Sequence, residues 1–111
     1  MPSHFTSAKE LRGKEVAKGV VMKPLPGKNV MLNYVELAEG SEVPTHSHPH
    51  EQGGMVVEGR FEMWIGDERK VMVPGDMYMI AGGVPHGGRP VGGAAIVLDV
   101  FYPLREDYLK P

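Results

Sequence analysis

Residues 44–59 read PTHSHPHEQGGMVVEG, and the spacing of the histidines in this stretch decides the fold. His46, His48 and His50 occupy every second position, and Gln52 follows at the same interval. In an extended chain, residues two apart point to the same side, so these four side chains could face one cavity. The spacing therefore predicts a strand that builds a metal site.

A third imidazole outside this stretch is needed to complete such a site. Transition-metal sites commonly use about three protein ligands and keep a position open for substrate. His46 and His48 form a pair, and His86 lies in the glycine-rich segment AGGVPHGG at 81–88, which a small barrel could bring back beside them. The alternative is that HSHPH is a polar turn and that His86 is an ordinary loop residue.

His50 could have either of two roles in this arrangement. Alternation points it inward, but it is displaced along the chain from the first pair, and Pro49 bends the local path. We therefore expect His50 either to support the site or touch a substrate, or to be only a turn residue.

The rest of the chain predicts an all-β sandwich or barrel, because short apolar segments alternate with Gly- and Pro-rich turns. The predicted strands are GVVM (19–22), NVMLNYVEL (29–37), EQGGMVVEG (51–59), RFEMWIG (60–66), RKVMV (69–73), DMYMI (76–80) and AAIVLDVFY (94–102). A single helical turn is predicted at 7–11. The 111 residues are enough for one domain, 1–111, with residues 1–18 as an N-terminal extension.

Composition excludes several classes of function. The formal net charge is −2, with basic and acidic residues interspersed, so nucleic acid is not an expected partner. There is no cysteine, which restricts a metal site to nitrogen and oxygen donors and is consistent with a reducing compartment. No apolar run is long enough to span a membrane, and we expect a cytoplasmic protein with no membrane partner.

Two segments resemble the motifs of the cupin family. Residues 40–59 resemble the first motif, with Gly40, His46, His48 and Gly59 in register and Gln52 at the position of its glutamate. The second motif is similar to residues 75–90. Gly75, Gly83 and His86 match it there, whereas Ala81 replaces its proline and Pro90 its asparagine. The resemblance implies a double-stranded β-helix, or jelly-roll barrel, with the metal inside.

Gln52 is an informative departure from the cupin pattern. A neutral amide in place of a carboxylate adds no negative charge, so a bound metal would remain a stronger Lewis acid toward an anionic oxygen. This favours a substrate carboxylate, enolate or enediolate. Imidazole and amide donors would accept Zn, Ni, Fe, Co or Mn, and we expect one such divalent ion.

The last predicted strand carries a second chemical signal. Asp99 shares a face with Val97 and Phe101 in an otherwise apolar segment. Either Asp99 lies on an edge strand and faces water, or it points into the barrel beside the metal, where partial desolvation would suit it to acid–base work. In the second case Phe101 would form an apolar wall, and Arg105 could bind a substrate carboxylate.

This combination resembles the KdgF-type pectin-degradation cupins. That resemblance implies conversion of cyclic 4,5-unsaturated monouronates from pectin or alginate into linear keto uronates, with a sugar acid as the small-molecule partner. It implies that His46, His48, Gln52 and His86 are metal ligands and that Asp99, Phe101 and Arg105 are the catalytic and substrate-binding residues. Two alternatives remain, a metal-dependent cupin dioxygenase and a non-catalytic cupin that binds a small ligand.

Two further expectations concern packing and assembly. Six methionines are predicted to fill gaps in the core, although a methionine-rich binding surface is the alternative. They are Met31, Met55, Met63, Met72, Met77 and Met79. The apolar GVVM segment at 19–22 is predicted to be an exposed edge strand through which the protein forms a homodimer.

Overall fold

Ten β-strands make up most of residues 3–109, the part of the chain that this computed structural model describes. They are β1 (Lys14–Ala17), β2 (Val20–Pro26), β3 (Met31–Leu37), β4 (Val43–His46), β5 (Glu51–Glu58), β6 (Phe61–Ile65), β7 (Glu68–Met72), β8 (Met77–Ile80), β9 (His86–Pro90) and β10 (Ala95–Tyr102). A short 3-10 helix, Glu106–Leu109, follows, and no α-helix occurs within the described range. The predicted all-β class is confirmed.

The strands form two antiparallel sheets. The larger sheet has the order β1-β2-β3-β10-β5-β8, and the smaller has the order β4-β9-β6-β7. Within 3–109 no helix is long and apolar enough to cross a membrane.

The hydrophobic core lies between the two sheets. The larger sheet contributes Val20, Met22, Val35, Leu37, Val56, Ile80, Ala95 and Val97, and the smaller contributes Phe61, Met63 and Met72. Strand β10 shows the alternation that creates this layer, because Val97 and Phe101 are buried while Val100 and Tyr102 are exposed. The predicted face of this strand is therefore correct, and it carries Asp99 into the interior.

The methionine prediction is wrong for half of its residues. Met31, Met63 and Met72 are buried as expected. Met77 and Met79 are 74% and 70% exposed, and Met55 lies beside them on the outer surface. Both faces of β8 are apolar, so alternation alone could not identify the inner face, which is formed by Tyr78 and Ile80.

Three predictions of local structure also need correction. The segment 19–22 is not at an edge, because β1 pairs with β2 and covers it. Residues 7–11 form hydrogen-bonded turns, in which Glu10 and Leu11 donate to Ser7 and Ala8, and not a helical turn. Strand β9 was not predicted, and of β4 only His46 lay in a predicted strand, because their sequences HGGRP and VPTH contain few apolar residues.

Candidate active site

Three histidines converge at one end of the barrel. His46 is the last residue of β4 and His86 is the first of β9, and they lie opposite each other in the smaller sheet. His48 follows β4 in a loop, and its ring centroid is 4.9 Å from that of His86. One ligand atom from each of the three lies within 4.8 Å of the others, so the cluster could hold a metal ion. The continuous strand expected from 46 to 52 is interrupted by this loop.

Two glycines bring the histidine-bearing loops together. The backbone N–H of Gly83 donates to the carbonyl oxygen of His48 at 2.8 Å. The backbone of Gly82 approaches Pro49 so closely that a Cβ atom at position 82 would overlap the Pro49 carbonyl oxygen. The segment before His86 is thereby held against the segment that contains His48.

All three histidines use the same ring nitrogen, Nδ1, to contact a backbone carbonyl. Each Nδ1 lies at hydrogen-bond distance from a backbone carbonyl oxygen, so Nδ1 must carry the proton and Nε2 keeps its lone pair. The carbonyls belong to Pro44, His50 and Val84, at 2.8, 3.1 and 2.9 Å from His46, His48 and His86 respectively. Burial lowers the pKa of His48 and of His86, which keeps both rings neutral as metal binding requires.

Gln52 supplies an oxygen to the same point. Its Oε1 lies 3.0 Å from Nε2 of His48 and 3.1 Å from Nε2 of His86. Three lone-pair atoms that face one another at such distances repel unless a cation lies among them. This donor set of neutral imidazoles and an amide oxygen therefore fits a divalent transition metal.

Asp99 lies beside this cluster and does not face water. It is 7% exposed, accepts a hydrogen bond on Oδ1 from the Tyr78 hydroxyl at 2.5 Å, and also accepts one from the side chain of Gln52. The Gln52 amide thus presents its nitrogen to Asp99 and its oxygen to the histidines. Burial raises the pKa of Asp99 to about 6, although the two hydrogen bonds oppose that rise.

Arg105 lies near the cluster, but part of its guanidinium is already paired. Its Nε and Nη2 donate to the two carboxylate oxygens of Asp107 at 3.0 and 2.8 Å. Its Nη1 is buried and has no hydrogen-bond partner among the described residues. The positive charge of Arg105 contributes to lowering the pKa of both His48 and His86, and its guanidinium carbon lies 5.4 Å from the centroid of the Phe101 ring.

Aromatic rings form part of the wall of the cavity that contains the cluster. The ring centroid of Phe101 is 5.7 Å from that of His48 and 5.7 Å from that of Tyr108. The guanidinium carbon of Arg105 lies 4.0 Å from the centroid of the Tyr108 ring. Tyr108 and Phe101 line the same interior cavity as His46, Gln52, His86 and Asp99.

His50 lies to one side of the cluster. Its ring packs edge-on against His48 at 5.5 Å, and its carbonyl oxygen orients the His48 ring. It borders a different surface pocket, beside Asn29 and Asp107. Its position is therefore that of a turn residue that supports His48.

The sequence interpretation missed three polar side chains near the cluster. Tyr78 was hidden because its strand was assigned the wrong inner face, and Tyr108 lies beyond the last predicted strand. Asn33 is fully buried opposite Asp99, and neither of its side-chain polar atoms has a hydrogen-bond partner among residues 3–109. Only its inward position in the predicted strand 29–37 could have drawn attention to it.

Comparisons with known proteins agree with this architecture. The cupin domain family model matches residues 33–101. The pectin degradation protein KdgF of Dickeya dadantii is 30% identical over 98 residues, which cover 86% of this chain and 89% of that protein.

Two solved structures are similar over nearly the whole chain. The structure of KdgF from Halomonas sp. has a TM-score of 0.88 and 28% identity, covering 96% of this chain and 99% of that one. An RmlC-like cupin from Shewanella frigidimarina has a TM-score of 0.88 and 28% identity, covering 96% of each chain.

Proposed function

The chain belongs to the cupin family, and we propose that it opens the ring of 4,5-unsaturated monouronates released from pectin or alginate and converts them to linear keto uronates. The carrying observation is a buried carboxylate, Asp99, that contacts the Gln52 amide beside a cluster of three histidines. This arrangement occurs in a chain related along most of its length to a pectin degradation protein.

The substrate's chemistry accounts for a buried acid–base group. In the cyclic substrate the ring oxygen joins the hemiacetal carbon C1 to C5 of the C4=C5 double bond. Ring opening needs loss of the C1 hydroxyl proton, and the electron pair of the broken C1–O bond remains on the oxygen attached to C5. Ketonisation then forms C5=O and requires a proton at C4. The overall change is an isomerisation and consumes no oxidant.

Asp99 is the group that we assign to both proton transfers. Its carboxylate accepts the proton of the C1 hydroxyl, and the resulting acid then supplies a proton to C4. Phe101 provides an apolar wall beside it. His46, His48, Gln52 and His86 would hold the metal, which would supply Lewis-acid stabilisation of the negative charge that develops on oxygen.

The direct test is to mix the metal-loaded protein with a 4,5-unsaturated monouronate and follow its ultraviolet absorbance. We expect loss of the conjugated double bond faster than the spontaneous rate, with no uptake of oxygen. Oxygen uptake would favour a dioxygenase, and binding without absorbance loss would favour a non-catalytic cupin.

Arg105 is expected to bind the substrate carboxylate through the side of its guanidinium that does not contact Asp107. Asp107 already pairs with Nε and Nη2, so the buried Nη1 is the donor that remains for substrate. We predict that Arg105→Ala raises KM roughly 10-fold or more and changes kcat less, because a charge-assisted hydrogen bond is lost. The matched control is Arg89→Ala, since Arg89 pairs with Glu62 on the surface. An unchanged KM for Arg105→Ala would remove Arg105 from the binding site.

We also propose that the protein is a homodimer, formed through the outer face of the larger sheet. Two rows of mostly apolar side chains cross four strands of this face. They are Met77, Met55, Leu98 and Tyr34, and next to them Met79, Gly53, Val100 and Leu32. An exposed apolar face of this extent is typical of a protein interface, and a second copy could pair with it symmetrically.

Light scattering tests this assembly. We predict that the wild type has twice the 12.1 kDa chain mass and that the double substitution Met77→Glu and Met79→Glu gives a monomer. Val71→Glu, at an exposed position of the smaller sheet, should leave the dimer intact. A monomeric wild type would contradict the dimer, and a dimeric double variant would place the interface elsewhere.

A further inference from the structure

Tyr78 and Asp99 lie in one row across the larger sheet, with a glycine between them. Tyr78 of β8 is opposite Gly54 of β5, and Gly54 is opposite Asp99 of β10. The two side chains therefore belong to strands that are not neighbours, and the tyrosine ring must pass over Gly54 to reach the carboxylate.

Gly54 leaves the room for that crossing. A Cβ atom at position 54 would overlap Cζ and the hydroxyl oxygen of Tyr78. Any side chain there would displace the ring from its present position. The second glycine of the EQGG segment thus allows the hydroxyl to reach Oδ1 of Asp99 at 2.5 Å.

Asp99 is consequently held from two directions by fixed donors. Tyr78 is 8% exposed and donates from β8, while the Gln52 amide donates from β5. A carboxylate has about four lone-pair sites, so two remain for a substrate hydroxyl. Fixing such a group close to its reacting geometry is a recognised source of rate acceleration.

We propose that Tyr78 is a positioning residue, which holds Asp99 in its reactive orientation through a hydrogen bond that Gly54 makes possible. The inference rests on the proposed function, because it assigns Tyr78 a part in the same reaction. It adds a residue that the motif resemblance does not include, and it explains why position 54 requires a glycine.

The kinetic test uses Tyr78→Phe, which removes the hydroxyl and keeps the ring. We expect kcat to fall about 10- to 100-fold while KM and bound metal stay unchanged, because the hydrogen bond that orients Asp99 is lost. Combined with Asp99→Asn, the same substitution should cause no further loss, since the group that it positions is already inactive. Tyr102→Phe, at an exposed position of β10, is the matched control and should match the wild type.

Gly54→Ala should reproduce the loss in kcat by displacing the Tyr78 ring. Thermal unfolding of this variant shows whether it folds, and if it does not, Tyr78→Phe alone decides the question. Wild-type kcat in Tyr78→Phe, or a further loss in the double variant as large as in the single one, would overturn the positioning role.

A second readout needs no substrate and separates this inference from the proposed function. The chain has four tyrosines, so labelling with tyrosine carrying carbon-13 at Cζ gives four signals. Tyr78→Phe identifies the Tyr78 signal by its disappearance, and Asp99→Ala should shift that signal more than the other three. An unmoved Tyr78 signal would disprove the contact, whereas an inactive wild type with a shifted signal would disprove only the proposed reaction.

Discussion

Asp99→Asn is expected to slow the conversion of the unsaturated uronate roughly 100-fold or more, the usual contribution of a general acid or base. Asparagine has nearly the same shape as aspartate and can still accept the hydrogen bond from Tyr78, but it cannot take up and return a proton. The variant should therefore keep its fold and its metal. Absorbance kinetics, metal analysis and thermal unfolding measure these three properties.

The matched control for this variant is Asp67→Asn, in an exposed turn between β6 and β7. It should retain wild-type kinetics, because its carboxylate is exposed and lies far along the chain from Asp99. Wild-type activity in Asp99→Asn would remove Asp99 from the proton transfers, and loss of metal in that variant would point to a ligand role.

His46→Ala and His86→Ala are each expected to abolish stoichiometric metal binding. Each substitution removes one of the convergent nitrogen donors, and a site with two histidines and an amide lacks the three strong ligands that such ions normally require. Elemental analysis of purified protein should give about one divalent ion per wild-type chain and far less in either variant.

His4→Ala is the control for that experiment, because His4 is exposed and far along the chain from the cluster. It should bind metal as the wild type does. Retention of one ion per chain in both His46→Ala and His86→Ala would disprove the assigned site.

The histidine cluster shows what local sequence can and cannot predict. The convergence of His86 with the His46 and His48 pair was predictable, because the spacing of these residues resembled the motifs of a known barrel family. The path between the ligands was not, since His48 and Gln52 are brought together by a loop and not by one continuous strand. Alternation specifies a face only where the backbone remains extended.

Strand β8 shows a different limit of prediction from sequence alternation. Its two faces, Met77 with Met79 and Tyr78 with Ile80, are both apolar, and alternation separates them without saying which is buried. Burial is decided by the neighbouring strand, where Gly54 admits a tyrosine ring on the inner side. By contrast, Asp99 in β10 was correctly assigned to the same face as Val97 and Phe101, and of the two alternatives left open for that face the structure shows the buried one.

The hydrogen bonds between the polar side chains of the site could not be predicted from sequence, for a further reason. The Tyr78–Asp99 and Gln52–Asp99 hydrogen bonds and the Arg105–Asp107 pair depend on strand register and on the course of the C-terminal turn. Register is a property of the assembled sheet, and a shift of one residue would turn every side chain of that strand to the opposite face.

The most direct test of the proposed reaction is proton NMR of a 4,5-unsaturated monouronate incubated with the metal-loaded protein in D₂O. Ring opening followed by ketonisation predicts a linear keto uronate that carries one solvent deuterium at C4, formed faster than in the absence of protein and without oxygen consumption. An unchanged cyclic substrate, or a product that contains an atom of molecular oxygen, would contradict the proposed function.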